Sequence, residues 1–549
     1  MSSKSYDYVI VGGGTAGCVL ASRLRQDNPS LSIVIVEAGP DVSRRPDVLD
    51  GSQWAPLLAT ELNWQYQTVP QKHLGGRVVA NAAGKALGGS TAINAGAWTR
   101  GDSQNYDHWG EVVNDNRWSY DGFLPYFRKI ETFHDPHGYK EVHGFDGAIH
   151  MVPSHLRGYP LREQIKAAWA DMGVPFNEDM NDGNPLGVAD MIENRLNGYR
   201  IVAPLVYPLD GVHIMTETLV KRVIVQDIDG KKVATAIELA DNEATIITAR
   251  REVIVSAGAF RSPQILMLSG LGPKSELQNH GIDVVLDIPD VGLHLHDHIS
   301  VFQWWKLKNP EKGLSIGSSA FNNPNYFKGN PVDFFITQSV PQQGLLNALA
   351  ADGNNNNPEA HRVASQRSHH ETWIMYVAQN AGNPTLVPDG THIMTSVICM
   401  LPTSRGTIKL ADTNPHTAPL VDPNYMATEA DRYILREGMR KLYQVFRETD
   451  AGRAIIDSET VGEGLKAVSA EIGDEDLDEK IRSHPGTMFH TAGTLSMGKV
   501  VDTFMRVNGV DRLRVVDASV IPVPLAGHLQ NCVYAMAEQA ADIILNDTM

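Results

Sequence analysis

Three glycines near the start of the chain have the residue type and spacing of a phosphate-binding turn. Gly12, Gly14 and Gly17 follow the apolar segment YDYVIV and open the segment CVLASRLRQ. In a G-x-G-x-x-G turn, the first glycine permits the bend, the second lets a pyrophosphate approach the backbone, and the third lets helix and strand pack closely. The helix that follows presents the positive end of its dipole to the phosphates. The pattern predicts a dinucleotide site.

Glu37 ends the next apolar segment, LSIVIVEAG. A carboxylate at this place can accept hydrogen bonds from both ribose hydroxyls and would repel a 2′-phosphate. The order strand, glycine turn, helix, strand predicts a βαβ unit with a parallel pair of strands. The spacing alone does not separate NAD from FAD.

A histidine stands where a helix is predicted to begin near the end of the chain. The stretch VPLAGHLQNCVYAMAEQAADII places Val533, Met536, Ala537 and Ala540 at helical spacing. His528 comes just before them, although Asn or Ser would cap a helix better. By itself, such a histidine fits either a cap or a buried core residue, so its chemistry depends on its surroundings.

The composition limits the classes of protein. A chain of 549 residues predicts two or more domains. Its 47 basic and 64 acidic residues give a net charge of −17, which disfavours nucleic acid and anionic membranes as partners. Three widely spaced cysteines predict neither a disulfide framework nor a zinc site and fit a reducing compartment.

The location and organisation of the chain are predicted from simple patterns. Folded sequence from Tyr6 leaves no room for a secretory signal, and no apolar run reaches about 18 residues, so we expect a cytoplasmic protein. The Asp229-Gly230 pair predicts an antiparallel hairpin between two alternating segments. The stretch GNNNNP predicts an irregular loop.

Two longer motifs decide the cofactor. GKALGGSTAINAGAWTRGDSQNYD (84–107) and GAFRSPQILMLSGLG (258–272) resemble both signatures of the glucose–methanol–choline (GMC) oxidoreductases. The stretches NWQYQTVPQ, VGLHLHDH, SRGTIKL, VDPNY and LRVVDASVIP are similar to the family too, so the resemblance covers Tyr6 to about Ile544. The resemblance implies FAD.

The resemblance also implies the architecture. The expected class is α/β (α+β overall), with a Rossmann-like FAD-binding domain and a discontinuous substrate-binding domain on an antiparallel sheet. The implied FAD-binding domain comprises residues 1–150, 206–300 and 485–549. The implied substrate-binding domain comprises residues 151–205 and 301–484.

The resemblance assigns the cofactor-binding residues one by one. Gly12, Gly14, Gly17 and Glu37 would hold the AMP half, and Val220 would meet the adenine through its backbone. The pyrophosphate and isoalloxazine would lie against Gly89, Asn94, Ala97, Asp517 and Ala518. The remaining implied contacts are Thr15, Ala16, Ala38, Gly84, Leu87, Ala95, Gly96, Ala257, Gly258, Leu529 and Gln530.

One departure concerns covalent attachment. Some members link FAD to a histidine immediately before the asparagine that matches Asn94. Here that position is Ile93, so we expect non-covalent FAD.

Two histidines are the implied catalytic residues. The resemblance places His490, in MFHTAGTLSMG, and His528 at the flavin, as in the His/His subgroup that contains aryl-alcohol and glucose oxidases. An imidazole that titrates near neutrality can take the hydroxyl proton as hydride leaves carbon. We expect His490 to be the base and His528 to orient the hydroxyl. The helix that begins there, with donors from Gln530 and Asn531, would stabilise the anion forming at flavin N1 and C2=O.

The sequence therefore predicts FAD-dependent oxidation of a primary alcohol, aromatic or allylic, to the aldehyde. Hydride would pass to flavin N5, and O2 or another acceptor would reoxidise the cofactor. Aromatic candidates for substrate contact are Phe489, Trp304, Trp305 and Trp373. The alternatives are a hydroxynitrile-lyase-like enzyme on the same scaffold, without net redox chemistry, and a flavoprotein that only binds.

Two further groups of histidines need an interpretation. His294, His296 and His298 alternate in VGLHLHDH, a spacing that puts three side chains on one face of a strand and could hold a metal. The family implies no metal there, so we expect no metal site and a structural or cavity-edge role. The pair His369-His370 is predicted to lie in a solvated loop.

Overall fold

The computed structural model describes residues 4–135, 138–241, 243–353, 358–379 and 382–547. The interior of the GNNNNP stretch, 354–357, lies outside these ranges. The α-helices of the described residues are Thr15–Asp27, Pro46–Leu49, Trp54–Leu57, Ser103–Val113, Tyr120–Ile130, Arg162–Asp171, Ala203–Val206, Gly258–Leu268, Lys274–Asn279, Gln342–Ala351, Pro358–Ser365, Glu429–Tyr443, Asp450–Ile455, Asp474–Ser483 and Gln530–Asn546.

An eight-stranded sheet, the first sheet, contains the predicted βαβ unit. The strand Lys4–Val11 lies between Ile33–Val36 and Ile246–Val255 and runs parallel to both. All four residues of Ile33–Val36 are buried, as a central parallel strand requires. The other strands of this sheet are His213–Met215, Val220–Ile228, Lys231–Leu239, Val510–Asp511 and Leu513–Val515.

The hairpin predicted at Asp229-Gly230 is confirmed. Val220–Ile228 pairs antiparallel with Lys231–Leu239. Both turn residues have positive φ, 53° at Asp229 and 78° at Gly230. A two-residue turn with two positive φ angles matches the natural twist of a hairpin.

A second eight-stranded sheet is largely antiparallel. In the register of its centre, Ser396 lies between Phe302 and Trp373, and Met394 lies between Trp304 and Met375. Because side chains alternate across a sheet, these residues share one face. Its strands are Phe176–Asn177, Gly187–Asp190, Ile299–Leu307, Val332–Gln338, His370–Met375, His392–Cys399, Ile456–Thr460 and Pro485–Thr487.

Shorter strands complete the fold. They are Tyr66–Gln67 with Ala80–Asn81, Glu131–Phe133 with Ile149–Pro153 and Ile192–Glu193, Arg195–Leu196 with Tyr199–Arg200, Leu271–Gly272 with Leu286–Asp287, and Thr407–Lys409 with Leu420–Asp422.

The two sheets alternate along the chain. The first sheet takes its strands from residues 4–36, 213–255 and 510–515, and the second from 176–190, 299–399, 456–460 and 485–487. This arrangement confirms the predicted α/β class with an antiparallel second sheet. At the predicted boundary near 485, the strand Pro485–Thr487 pairs with Ile299–Leu307 of the second sheet, whereas the domain prediction assigns 485–487 to the FAD-binding part.

The C-terminal helix, Gln530–Asn546, packs against the first helix, Thr15–Asp27. Arg23 of the first helix forms ion pairs with Glu538 and Asp542 of the C-terminal helix. These ion pairs hold the two helices together. No helix of the described residues is long and apolar enough to span a membrane.

Candidate active site

A cavity of about 870 Å³ lies where strand ends of the first sheet face one side of the second sheet. Every residue assigned to the cofactor or to catalysis lines it, except Gly17 and Leu87. The assigned residues that line it are Gly12, Gly14, Thr15, Ala16, Glu37, Ala38, Gly84, Gly89, Asn94, Ala95, Gly96, Ala97, Val220, Ala257, Gly258, His490, Asp517, Ala518, His528, Leu529 and Gln530.

The three glycines of the first turn have different physical roles. A Cβ on Gly17 would lie 2.1 Å from the Gly12 carbonyl oxygen, and one on Gly12 would lie 2.4 Å from the Ser256 carbonyl oxygen. These two glycines are required by the packing of helix and strand. A Cβ on Gly14 would meet no described protein atom closer than 3.8 Å, and its φ of −75° suits any residue. The space beside Gly14 is therefore free for a ligand.

The same place offers hydrogen-bond donors. Gly14 is the N-cap of the helix Thr15–Asp27 and contributes no side-chain cap, and the first turn carries no acidic residue. Backbone N–H groups at such an end bind phosphate oxygens. The open space at Gly14 and these donors fit the pyrophosphate of FAD.

Glu37 is buried at the end of its strand. Its Oε2 accepts a hydrogen bond from Gly13 N at 2.8 Å, and its Oε1 accepts one from Gly39 N at 2.8 Å. Burial raises the pKa of this carboxyl to about 7, against the effect of those hydrogen bonds. Each oxygen keeps a second lone pair, so the carboxylate could accept hydrogen bonds from ribose hydroxyls.

Asp517 fixes the opposite wall of the cofactor part of the cavity. Its Oδ2 accepts hydrogen bonds from Gly258 N at 2.9 Å and from Ser262 Oγ, and its Oδ1 accepts one from Ser519 N at 2.8 Å. Burial raises the pKa of this carboxyl. The aspartate thus joins the helix Gly258–Leu268 to the last strand of the first sheet.

Gln530 joins two loops at the start of the C-terminal helix. Its Oε1 accepts hydrogen bonds from Asn94 Nδ2 at 2.8 Å and from Asn194 Nδ2 at 3.0 Å. The amide nitrogen of Gln530 is left as a donor at the cavity. Asn531 does not line the cavity, and its side-chain amide has no partner among the residues that the structure describes. The expected donor role therefore fits Gln530 and not Asn531.

His490 and His528 face each other across the cavity. Their ring centroids are 4.7 Å apart, and the ring planes are nearly perpendicular at 88°. The helix begins at Gln530, two residues later than predicted. His528 is kept in the preceding turn because its backbone N–H donates to Thr99 Oγ1 at 2.7 Å.

The two histidines have different partners. His528 Nε2–H donates to Glu371 Oε1 at 3.0 Å, and its ring stacks on Phe335 with centroids 5.3 Å apart. His490 Nδ1 lies 2.9 Å from His298 Nδ1. Burial lowers the pKa of His490 well below its ordinary value of 6.5. His490 is therefore a neutral imidazole.

The second sheet forms the wall opposite the cofactor residues. Phe302, Trp373, Met375, Met394 and Ser396 line the cavity from this side. Four of the five side chains are apolar. The Ser396 hydroxyl is buried and has no partner within the described part of the chain, so it can bind a polar atom of a ligand.

The predicted aromatic contacts divide into two groups. Phe489 and Trp373 line the cavity, while Trp304 lies beside it and donates to Gln379 O at 3.0 Å. Trp305 points to the other face of the sheet, where it packs on Phe446 with ring centroids 4.9 Å apart. Its selection was wrong, since successive residues of a strand face opposite sides.

The alternating histidines do not lie on a strand, because the strand begins at Ile299. His294 has a φ of 63° and bonds Asp290 Oδ1 at 2.6 Å, and His296 is buried. Only His298 contacts a catalytic candidate. Among the described residues, no group of side chains is arranged to hold a metal ion.

The interpretation of His369-His370 as a solvated loop was wrong. Both side chains are buried, at 1% and 2% exposure, and His370 begins a strand of the second sheet. His369 Nε2 hydrogen-bonds Val363 O at 2.9 Å. The strand that they introduce carries Glu371.

Sequence reasoning missed Glu371, Asp297 and Thr99, which hold the catalytic candidates in place. Asp297 Oδ1 accepts the backbone N–H of His490 at 2.8 Å. A carboxylate in a strand of buried residues, as in HETWIM, is a signal that points to Glu371. Thr99 carries no comparable signal in the sequence.

The fold thus brings a glycine turn, a buried glutamate and a pair of histidines together around one cavity. Two family models, both described as GMC oxidoreductase, match residues 6–300 and 402–537. The chain belongs to the GMC oxidoreductase family, and it is an FAD-dependent oxidoreductase.

Individual proteins support this assignment over the full length. The chain is 41% identical to the GMC-type oxidoreductase acuG of Aspergillus aculeatus, over 99% of each chain. It is 33% identical to pyranose dehydrogenase 3 of Leucoagaricus meleagris, over 99% of this chain and 93% of that protein. A variant of the formate oxidase of Aspergillus oryzae RIB40 has the same fold, with a TM-score of 0.88, 28% identity and 99% coverage of both chains.

Proposed function

We propose that this enzyme oxidises a primary alcohol, aromatic or allylic, to the aldehyde, and that it belongs to the His/His subgroup of its family. The observation that carries the proposal is the arrangement of His490 and His528. Their ring planes are nearly perpendicular, their ring centroids are 4.7 Å apart, and they line a cavity with an apolar wall. Two imidazoles in this arrangement can bind one hydroxyl between them.

We assign the base to His490. The lowered pKa keeps its imidazole unprotonated, so it is ready to take the proton of the substrate hydroxyl. We assign the orienting role to His528, because Glu371 and the stacked Phe335 ring fix the plane of its imidazole. Both roles require a hydroxyl within hydrogen-bond reach of the two rings.

We propose that FAD is bound non-covalently. Bound FAD supplies the hydride acceptor at N5. Gly14 and the helix N-terminus would hold the pyrophosphate, Glu37 the ribose, and Gln530 the flavin ring. Non-covalent binding is supported by Ile93, which lines the cavity next to Asn94 and has no nucleophilic atom.

The substrate class is supported by the wall of the second sheet. Phe302, Trp373, Met375 and Met394 offer apolar and aromatic surface, and the Ser396 hydroxyl offers one polar contact. A flat, uncharged alcohol buries its apolar surface against such a wall. A charged substrate would lose its hydration there without an ionic partner on this wall.

The remaining partner is O2 or another electron acceptor. A cytoplasmic location is part of the proposal and is supported by Cys18, Cys399 and Cys532, which are buried and free.

Anaerobic mixing tests the proposal. The purified holoenzyme is mixed with primary aromatic, allylic, aliphatic and sugar alcohols, and with formate, while the flavin absorbance is followed. We expect an aromatic or allylic alcohol to bleach the flavin, and air to restore it if O2 is the acceptor. Bleaching by formate or sugars alone would refute the substrate class. Bound flavin that no compound bleaches would favour the lyase alternative.

A further inference from the structure

His298 and His490 share a single proton between their rings. Their Nδ1 atoms are 2.9 Å apart, the ring centroids are 5.0 Å apart, and the planes are perpendicular at 90°. A hydrogen bond between two imidazole nitrogens needs one N–H donor and one lone-pair acceptor. The tautomer of one ring therefore determines the tautomer of the other.

The second nitrogen of His298 decides which ring donates. An interaction with the backbone of Met400 acts to raise the pKa of His298, which favours a proton on the ring nitrogen that does not face His490. Burial and the charge of His528 nevertheless hold the pKa of His298 at about 3, so the ring is neutral and carries one proton. With Nε2 protonated toward Met400, Nδ1 of His298 is a lone-pair acceptor. His490 must then donate its Nδ1–H.

The backbones of the two histidines are held together independently of their rings. Asp297 Oδ1 accepts the backbone N–H of His298 at 2.9 Å and that of His490 at 2.8 Å. Its Oδ2 accepts hydrogen bonds from Thr487 and Tyr425. The carboxylate is buried at 3% exposure, so this clamp is shielded from water.

We propose that His298 is a positioning residue that fixes His490 in its Nδ1–H tautomer and leaves Nε2 as the proton acceptor at the cavity. The inference rests on the proposed function, because it concerns the base of the proposed reaction. The group that His490 Nε2 binds in this inference is the hydroxyl of an uncharged alcohol.

The arrangement also has a consequence for the reaction. When the substrate O–H bond breaks and the proton binds His490 Nε2, the ring becomes an imidazolium that keeps its Nδ1–H. The lone pair of His298 Nδ1 then accepts a charge-assisted hydrogen bond, which is stronger than the neutral one. His298 therefore stabilises the product of the proton transfer without taking the proton itself.

Two substitutions separate the acceptor function from the volume of His298. In His298→Asn, the side-chain oxygen can occupy the place of Nδ1 and accept from His490. In His298→Leu, a side chain of suitable volume offers no acceptor. Flavin content and thermal unfolding of each holoenzyme report whether the fold is retained.

Long-range proton–nitrogen NMR of the ¹⁵N-histidine-labelled holoenzyme reads the tautomer directly, with His490→Asn used to assign the signal. We expect a protonated Nδ1 and an unprotonated Nε2 on His490 in the wild type and in His298→Asn, and loss of this state in His298→Leu. We also expect kcat with the best alcohol to fall on the order of 10²-fold in His298→Leu, with KM changed little and much of kcat restored in His298→Asn.

Two results would overturn the inference. One is a wild-type His490 protonated at Nε2, and the other is His298→Leu with the wild-type tautomer and kcat. The NMR result does not depend on turnover. If no alcohol is oxidised, the proposed function fails while the tautomer is still measured.

Discussion

The two histidines that we propose as catalytic residues have different neighbours. His528 hydrogen-bonds the carboxylate of Glu371, whereas His490 hydrogen-bonds the neutral ring of His298. The buried environment of His490 disfavours its cation, which makes it a free base at neutral pH. These contacts support the proposed division into one base and one orienting residue.

The lowered pKa of His490 predicts the pH dependence of the reaction. The active form is the unprotonated imidazole, and its protonated form appears only below the ordinary value of 6.5. We therefore expect kcat/KM for the alcohol to stay level as pH falls from neutrality to 6.5 and to decrease at lower pH. Steady-state kinetics over this range measure the acidic limb. A midpoint above 6.5 would be inconsistent with a buried base.

The hydrogen bond between Glu371 and His528 predicts an effect on the reaction rate. Glu371→Gln keeps an oxygen that can accept from His528, while Glu371→Leu leaves His528 Nε2–H buried without an acceptor. A hydrogen bond to a charged group contributes about 1.5–3 kcal/mol, so we expect kcat/KM to fall roughly tenfold to hundredfold in Glu371→Leu. The glutamine variant should lose less. Equal rates for wild type and Glu371→Leu would exclude an orienting role.

At the scale of elements, the sequence predicted local units better than distant ones. The βαβ unit and the Asp229-Gly230 hairpin are each encoded in one continuous stretch, and both were predicted. The contact between His528 and Glu371 joins residues 157 apart in the chain, and nothing in either stretch specifies it. The strands of the second sheet come from separate segments, so no single stretch of sequence predicts it. We expected this sheet only because the chain resembles the family.

The sequence also does not show which side of a strand each residue faces. Trp304 and Trp305 are adjacent residues of the same type, yet they lie on opposite faces of the strand. The pair His369-His370 is polar, but hydrogen bonds between the His369 ring and the backbone of Val340 and Val363 make the burial of His369 possible. The tertiary structure is needed to tell which way a strand residue points and which groups a polar residue contacts.

The glycine turn provides a matched pair of variants. In Gly17→Ala, the new Cβ would lie 2.1 Å from the Gly12 carbonyl oxygen, so helix and strand must separate. In Gly14→Ala, no described protein atom lies within 3.8 Å, and the methyl group projects into the space assigned to the pyrophosphate. We expect Gly14→Ala to fold normally but to lose FAD, and Gly17→Ala to lower the melting temperature of the apoprotein as well.

Circular dichroism and flavin absorbance of the purified variants measure both effects. Stable FAD in Gly14→Ala would show that the cofactor does not occupy this space. An unchanged melting temperature in Gly17→Ala would show that helix packing tolerates the methyl group.

At the scale of the molecule, the cavity depends on both sheets. Gly12 and Glu37 come from the first sheet and its turns, while Trp373 and Ser396 come from the second. The segments of the two sheets alternate along the chain, so neither sheet is built from one continuous segment. Binding in the cavity should therefore stabilise the whole fold.

FAD added to the apoprotein should raise its melting temperature in one cooperative transition. At 100 times the dissociation constant, a ligand that binds only the folded state stabilises it by about 2.7 kcal/mol. Differential scanning calorimetry with increasing FAD measures the shift. Two separate transitions, of which FAD moves only one, would mean that the sheets unfold independently.

His490 is proposed to take the hydroxyl proton of an alcohol. Rapid anaerobic mixing of wild type and His490→Asn with the best alcohol, both loaded with equal FAD, tests it most directly. We predict that flavin bleaching in the variant slows by about 10²- to 10⁴-fold, the usual contribution of a general base. Bleaching of the flavin in His490→Asn at the wild-type rate would show that His490 is not the base.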